Sequence, residues 1–169
     1  MKTFKFNRQH LIWVMFFINF SFTFADWPEI FPNDFYLSSL NGTNGFVING
    51  IKLGDISGYS VNGIGDVNGD GIDDIIIGAL AAKQSYVIFG SRQPWLPAID
   101  LDSLDGSNGF NIEVNGFSVS GGEDFNGDRI KDILIGDPLA NNGAGQIYVI
   151  FGRRQEWPKT IKINDLNGK

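Results

Sequence analysis

The chain has 169 residues, with 13 Lys plus Arg against 19 Asp plus Glu, no cysteine, and a single histidine at position 10. A net charge of −6 repels phosphate, so nucleic acid is not an expected partner. Beyond position 10, thiol nucleophiles, disulfides, Ser-His-Asp triads and zinc sites built from Cys or His are all excluded.

Residues 1–25 have the layout of a secretory signal peptide. Lys2, Lys5 and Arg8 precede an apolar run from Leu11 to about Phe22, and Thr23-Phe24-Ala25 supplies small residues before a cleavage point at Asp26. An uncleaved anchor is the alternative, but the run is shorter than the ~18 to 20 residues a span requires. Either reading places the remainder outside the cytosol, secreted or at the cell surface, extracellular or periplasmic, with no membrane span once the signal is removed. Without disulfides, a chain in that compartment must draw rigidity from packing or bound metal.

After a lead-in over 26–34, the sequence repeats itself. Leu37-Ser38-Ser39-Leu40-Asn41-Gly42-Thr43-Asn44-Gly45-Phe46 returns as Leu101-Asp102-Ser103-Leu104-Asp105-Gly106-Ser107-Asn108-Gly109-Phe110. Gly58-Tyr59-Ser60-Val61 returns as Gly116-Phe117-Ser118-Val119, and Tyr86-Val87-Ile88-Phe89-Gly90 as Tyr148-Val149-Ile150-Phe151-Gly152. The length differences fall between the apolar runs, where loops absorb them cheaply. Units at 35–100 and 101–162 follow from this, and 163–169 opens a third copy, in which Leu166-Asn167-Gly168 matches Leu40-Asn41-Gly42.

Within each unit, Ile75-Ile76-Ile77, Ile133-Leu134-Ile135, Tyr86 to Phe89 and Tyr148 to Phe151 read as short strands bounded by Asp and Gly. The 22 glycines leave little room for long helices. Several short strands recurring at a period of about 60 residues fit four-stranded propeller blades better than a sandwich.

Before each Ile-rich strand lies an aspartate loop. In Asp66-Val67-Asn68-Gly69-Asp70-Gly71-Ile72-Asp73-Asp74, oxygen side chains stand at loop positions 1, 3, 5 and 9, with the Ile72 carbonyl at position 7. Calcium takes six to eight hard oxygen ligands at about 2.3–2.6 Å, and alternating side chains on a tight turn can converge on such a point. Gly71 permits the sharp turn at position 6. An EF-hand would need an acidic ligand at position 12 and a following helix, but Ile77 stands there, so this loop opens a strand. The second loop places Asp124, Asn126, Asp128 and Asp132 in the same register, with the Ile130 carbonyl. Its position 6 is Arg129, where positive φ costs about 1 kcal/mol and the guanidinium opposes a cation, so the second site is expected to be the weaker. The competing reading is that Asn-Gly-Asp clusters are solvated turn formers and nothing more.

This ordered set of motifs resembles the FG-GAP repeats of the integrin alpha-chain β-propeller, over roughly residues 35–169. Gly-aromatic-Ser-Val is followed by a DxNxDGxxD-type loop and a GAP-like turn, Gly78-Ala79-Leu80 in the first copy and Gly136-Asp137-Pro138 in the second. The resemblance implies an all-β fold of propeller blades, two complete and the start of a third. It also implies calcium at Asp66, Asn68, Asp70, Ile72 and Asp74, and at Asp124, Asn126, Asp128, Ile130 and Asp132. It implies a non-enzymatic module for cell adhesion or ligand binding, with a protein or extracellular-matrix ligand and with further blades or self-association completing the ring. The chain lacks the disulfides usual in animal integrin propellers, so a bacterial or divergent member fits as well as a receptor subunit. A propeller segment of a secreted phospholipase or glycosidase, or an inactive fragment of a longer protein, are the alternatives.

Three lesser signals complete the reading. Trp95 and Trp157 follow the Phe-Gly turns at equivalent places, which favours blade packing over ligand binding. Asn41-Gly42-Thr43 fits an N-glycosylation acceptor. Asp55, Glu113 and Glu123 do not recur in register, which argues against an acid pair for glycoside hydrolysis.

Overall fold

The structure, a computed structural model, describes residues 35–166. The signal peptide, the lead-in and the third copy from Asn167 onward lie outside the described residues. By its contacts the chain falls into two units, Met1–Leu37 and Ser38–Lys169, and the repeats belong to the second.

That unit is all-β. Its strands are β1 (Val47–Asn49), β2 (Ser57–Gly65), β3 (Asp74–Ala79), β4 (Gln84–Ile88), β5 (Ala98–Asp100), β6 (Gly109–Ile112), β7 (Ser118–Glu123), β8 (Asp132–Asp137), β9 (Gln146–Ile150) and β10 (Thr160–Ile161). The expected runs are strands: Ile75-Ile76-Ile77 is the middle of β3, and Ile133-Leu134-Ile135 that of β8. Both aspartate loops run directly into a strand at Asp74 and Asp132, as the branched residues after them require.

Two blades result. In the first, β2, β3, β4 and β6 pair antiparallel in that order, and β10 adds to β6 in parallel. In the second, β7, β8 and β9 pair antiparallel. The outer strand of the first blade therefore comes from the second sequence repeat, with Val87 opposite Phe110 and Tyr86 opposite Asn111. At the N-terminal side the parallel pair β1–β5 repeats the arrangement of β6–β10.

The core lies between the blades. Ile76, Val87, Phe110 and Ile112 from the first sheet meet Val119, Ile133, Ile135 and Ile150 from the second. A smaller cluster on the opposite face of the first sheet joins Ile77, Ala79, Tyr86 and Ile88 to Leu101 and Leu104. The tryptophans belong to this packing, since Trp157 stacks on Phe110 with ring centroids 4.3 Å apart and Trp95 stacks on Phe46 at 4.5 Å.

Glycine explains how closely the blades approach. A Cβ at Gly78 would collide with the Gly116 carbonyl, which also accepts a 2.9 Å hydrogen bond from the Ser60 hydroxyl. The glycine of the first GAP-like turn thus faces the glycine that opens the second repeat's Gly-Phe-Ser-Val. In the second GAP-like turn Asp137 replaces alanine, and its carboxylate accepts hydrogen bonds from the Leu139 N–H at 2.9 Å and the Asn115 amide at 3.2 Å.

Candidate metal centre

Each aspartate loop is wound around its first carboxylate. Asp66 accepts the N–H groups of Gly69 at 2.7 Å, Asp70 at 3.0 Å and Gly71 at 2.8 Å. Asn68 Oδ1 accepts the Asp70 N–H at 2.9 Å, and Asp70 Oδ1 accepts that of Ile72 at 2.8 Å. These short-range bonds are what Asp and Asn supply in a tight turn. The second loop reproduces them: Asp124 accepts from Gly127, Asp128 and Arg129, Asn126 from Asp128, and Asp128 from Ile130. The N–H of Arg129, then those of Gly127 and Asp128, hold the Asp124 carboxyl below the usual carboxylate range against some desolvation, and the charge of Lys131 adds to this.

Position 9 is different. Asp74 and Asp132 are fully buried, and each uses both oxygens as a clamp. Asp74 accepts the Val67 N–H at 2.9 Å and the Gly90 N–H at 2.8 Å, tying the loop to the end of β4. Asp132 does the same with Phe125 at 2.7 Å and Gly152 at 2.9 Å. Burial raises the Asp74 carboxyl to about 6, with the two backbone hydrogen bonds opposing and the charges of Asp70 and Asp66 adding to the rise.

Asp74 therefore feels the charges of Asp70 and Asp66. Yet among the described residues no three His, Cys, Asp or Glu side chains gather tightly enough to hold a metal by themselves. Asp74 is turned toward Val67 and Gly90. The remaining donors, Asp66, Asn68, Asp70 and the Ile72 carbonyl, are all hard oxygens, the set that suits calcium. The same holds for Asp124, Asn126, Asp128 and the Ile130 carbonyl. A carboxylate oxygen can accept more than one contact, so Asp74 and Asp132 keep some acceptor capacity beside their clamps.

The backbone at position 6 follows the sequence expectation, with Gly71 at φ 84° and Arg129 at φ 70°. Sequence reasoning missed two cations over the first loop. Arg154 donates from Nη1 to the Gly69 carbonyl at 3.1 Å, and Arg92 reaches the Asp70 carbonyl at 3.5 Å. Their signal was present, since Arg92 and Arg154 stand at matching places after the Phe-Gly turns. The first loop is further held by the second repeat through Lys131 N–H to Asp66 O at 3.0 Å and Arg153 N–H to Val67 O at 2.9 Å.

A family model for the FG-GAP repeat matches residues 57–88 and 115–150, which are the strands and loops just described. The chain carries FG-GAP repeats. It is 30% identical over 146 residues to integrin alpha ina-1 of Caenorhabditis elegans, covering 72% of this chain and 12% of that protein. It is 27% identical over 121 residues to human integrin alpha-11, covering 67% and 10%. Phosphatidylinositol-glycan-specific phospholipase D of Bos taurus is 32% identical over 109 residues, covering 53% and 12%. The chain spans about a tenth of the length of these relatives. Among the described residues no helix is long and apolar enough to cross a membrane.

Proposed function

We propose that this FG-GAP chain is a calcium-binding module of an extracellular propeller that engages a protein ligand. The observation that carries this reading is the pairing of two all-oxygen loops in the same register, in the first of which the charges of Asp70 and Asp66 help raise the Asp74 carboxyl. Calcium at the loop would offset that repulsion and favour the ionised form. Asp66, Asn68, Asp70 and the Ile72 carbonyl would hold the first ion, and Asp124, Asn126, Asp128 and the Ile130 carbonyl the second, with Asp74 and Asp132 contributing the capacity their clamps leave. The adhesive role rests on likeness to integrin alpha chains.

A ligand that binds only the folded state stabilises it by RT ln(1 + [L]/Kd), about 2.7 kcal/mol at a hundredfold excess over Kd. Thermal unfolding in calcium and in EDTA tests the proposal. The melting temperature rises with calcium, and Asp70→Ala removes most of the rise; equal melting temperatures in the two buffers would overturn the reading. Likeness to a phospholipase D supports a second reading, that of a propeller segment accompanying a secreted enzyme. Catalytic sequence in the reading frame beyond Lys169 would favour it.

A further inference from the structure

The turns that lead into β1 and β6 are built alike. Asn41 Oδ1 accepts the N–H groups of Thr43 at 2.9 Å and Asn44 at 3.3 Å, and Asp105 Oδ1 accepts that of Ser107 at 2.8 Å. Asn44 and Asn108 close the two turns in the same way. Each accepts the N–H of residue 41 or 105 and donates its side-chain amide to the carbonyl of Ser39 or Ser103. Gly42 N–H donates to the Gly45 carbonyl and Gly106 N–H to that of Gly109, both at 2.8 Å. A Cβ at Gly42 would collide with the Trp95 carbonyl, and one at Gly106 with that of Trp157, so both turns are pressed against a tryptophan segment.

Two differences separate the copies. Position 41 carries an amide where position 105 carries a carboxylate. The Asn41 side chain makes its hydrogen bonds through Oδ1, and among the described residues its Nδ2 has no partner. Because Asp105 builds the same turn without such a nitrogen, the fold does not need it. In addition, the Ser107 hydroxyl donates to Asp105 Oδ1 at 2.7 Å, whereas among the described residues the Thr43 hydroxyl has no bond of this kind. Asn41 and Thr43 are exposed. That exposure belongs to the turn itself, since Asp105 and Ser107 are exposed too, although the strand they lead into, β6, is flanked by both β4 and β10.

Asn-x-Ser/Thr, with x other than Pro, is the acceptor triplet for an N-linked glycan. It occurs at Asn19-Phe20-Ser21, within the run that reads as a signal peptide, and at Asn41-Gly42-Thr43. We propose that Asn41 is an N-glycosylation site of the exported chain, which rests on the chain being extracellular. The donor is an oligosaccharide carried on a lipid pyrophosphate in the secretory compartment. Asn41 Nδ2 attacks its anomeric carbon. The carbon–nitrogen bond forms as the carbon–oxygen bond to the pyrophosphate breaks, the lipid pyrophosphate leaves, and one of the two amide protons passes to a base of the transferase. The product keeps Oδ1 and therefore keeps the turn, with a bulky solvated group standing outside it. Residue 105, a carboxylate, is closed to this step, so the glycan marks one repeat and not the other.

Translation of the full chain in the presence of endoplasmic-reticulum microsomes tests the proposal, because protection from added protease reports entry into the lumen separately from modification. The protected chain gains the mass of a single glycan that peptide N-glycosidase removes, and release in heavy-oxygen water labels residue 41. Asn41→Asp, which copies the second turn, and Thr43→Ala each abolish the gain in protected chains, Thr43→Ser retains it, and Asp105→Asn adds a second glycan. Protected parent chains without a glycan would overturn the proposal while leaving export standing, most clearly where Asp105→Asn is modified in the same preparation. A glycan that persists in Asn41→Asp would overturn the assignment to this residue. A chain that never gains protection would overturn export and the proposal together.

Discussion

Arg129 holds a left-handed backbone position, φ 70°, that its counterpart Gly71 fills without strain. The Cβ of an L-residue is crowded there, at a cost of about 1–2 kcal/mol. Arg129→Gly is therefore expected to raise unfolding stability by about 1 kcal/mol in denaturant titration, and to strengthen calcium binding at the second loop by removing a cation. The buried clamps behave in the opposite way. Asp74→Ala leaves the Val67 and Gly90 N–H groups unpaired, and a buried unsatisfied donor costs about 1–3 kcal/mol, so this variant should lose at least about 2 kcal/mol. Asp74 also sets a pH dependence in the absence of calcium. Its folded pKa of about 6 lies above the ordinary aspartate value of 3.8, so the native state keeps the proton longer. Stability then falls as pH rises from about 4 to about 6, and Asp74→Ala flattens that slope. The type of residue 74 was legible in the sequence, but its clamping role was not, because Gly90 meets it only once β3 and β4 have paired.

At the scale of single elements, the Ile-rich strands were readable because short branched runs between Asp and Gly leave few alternatives. The β2 strand was not, since Gly58, Gly63 and Gly65 interrupt its nine residues and weaken any local preference. Its pairing with β3 decides the matter, including register shifts at both ends. The pairs β1–β5 and β6–β10 were likewise hidden, being two or three residues long and joined across large sequence separations. Gly78 gives these contacts a sharp test. Gly78→Val should destabilise the fold by about 1–3 kcal/mol or more, because the obstruction is the Gly116 backbone. The equivalent change at Gly136, in open space, should leave the stability of a single chain within about 0.5 kcal/mol.

For the whole molecule, the repeat told more than any single motif. It announced blades, but it did not announce that the outer strand of the first blade is taken from the second repeat, or that the first aspartate loop is held by Lys131, Arg153 and Arg154 of the next unit. Under the proposed function those contacts make the first calcium site a fastening between blades as well as a turn within one. Ion binding there then orders the junction core of Ile76, Phe110, Ile133 and Trp157. The most direct measurement is isothermal titration of the chain with calcium, beside Asp70→Ala and Asp128→Ala. The account predicts saturable binding at two loops, with one step absent in Asp70→Ala and the other absent in Asp128→Ala. Titration of the parent chain without saturable heat, or isotherms from both variants that match it, would contradict the account.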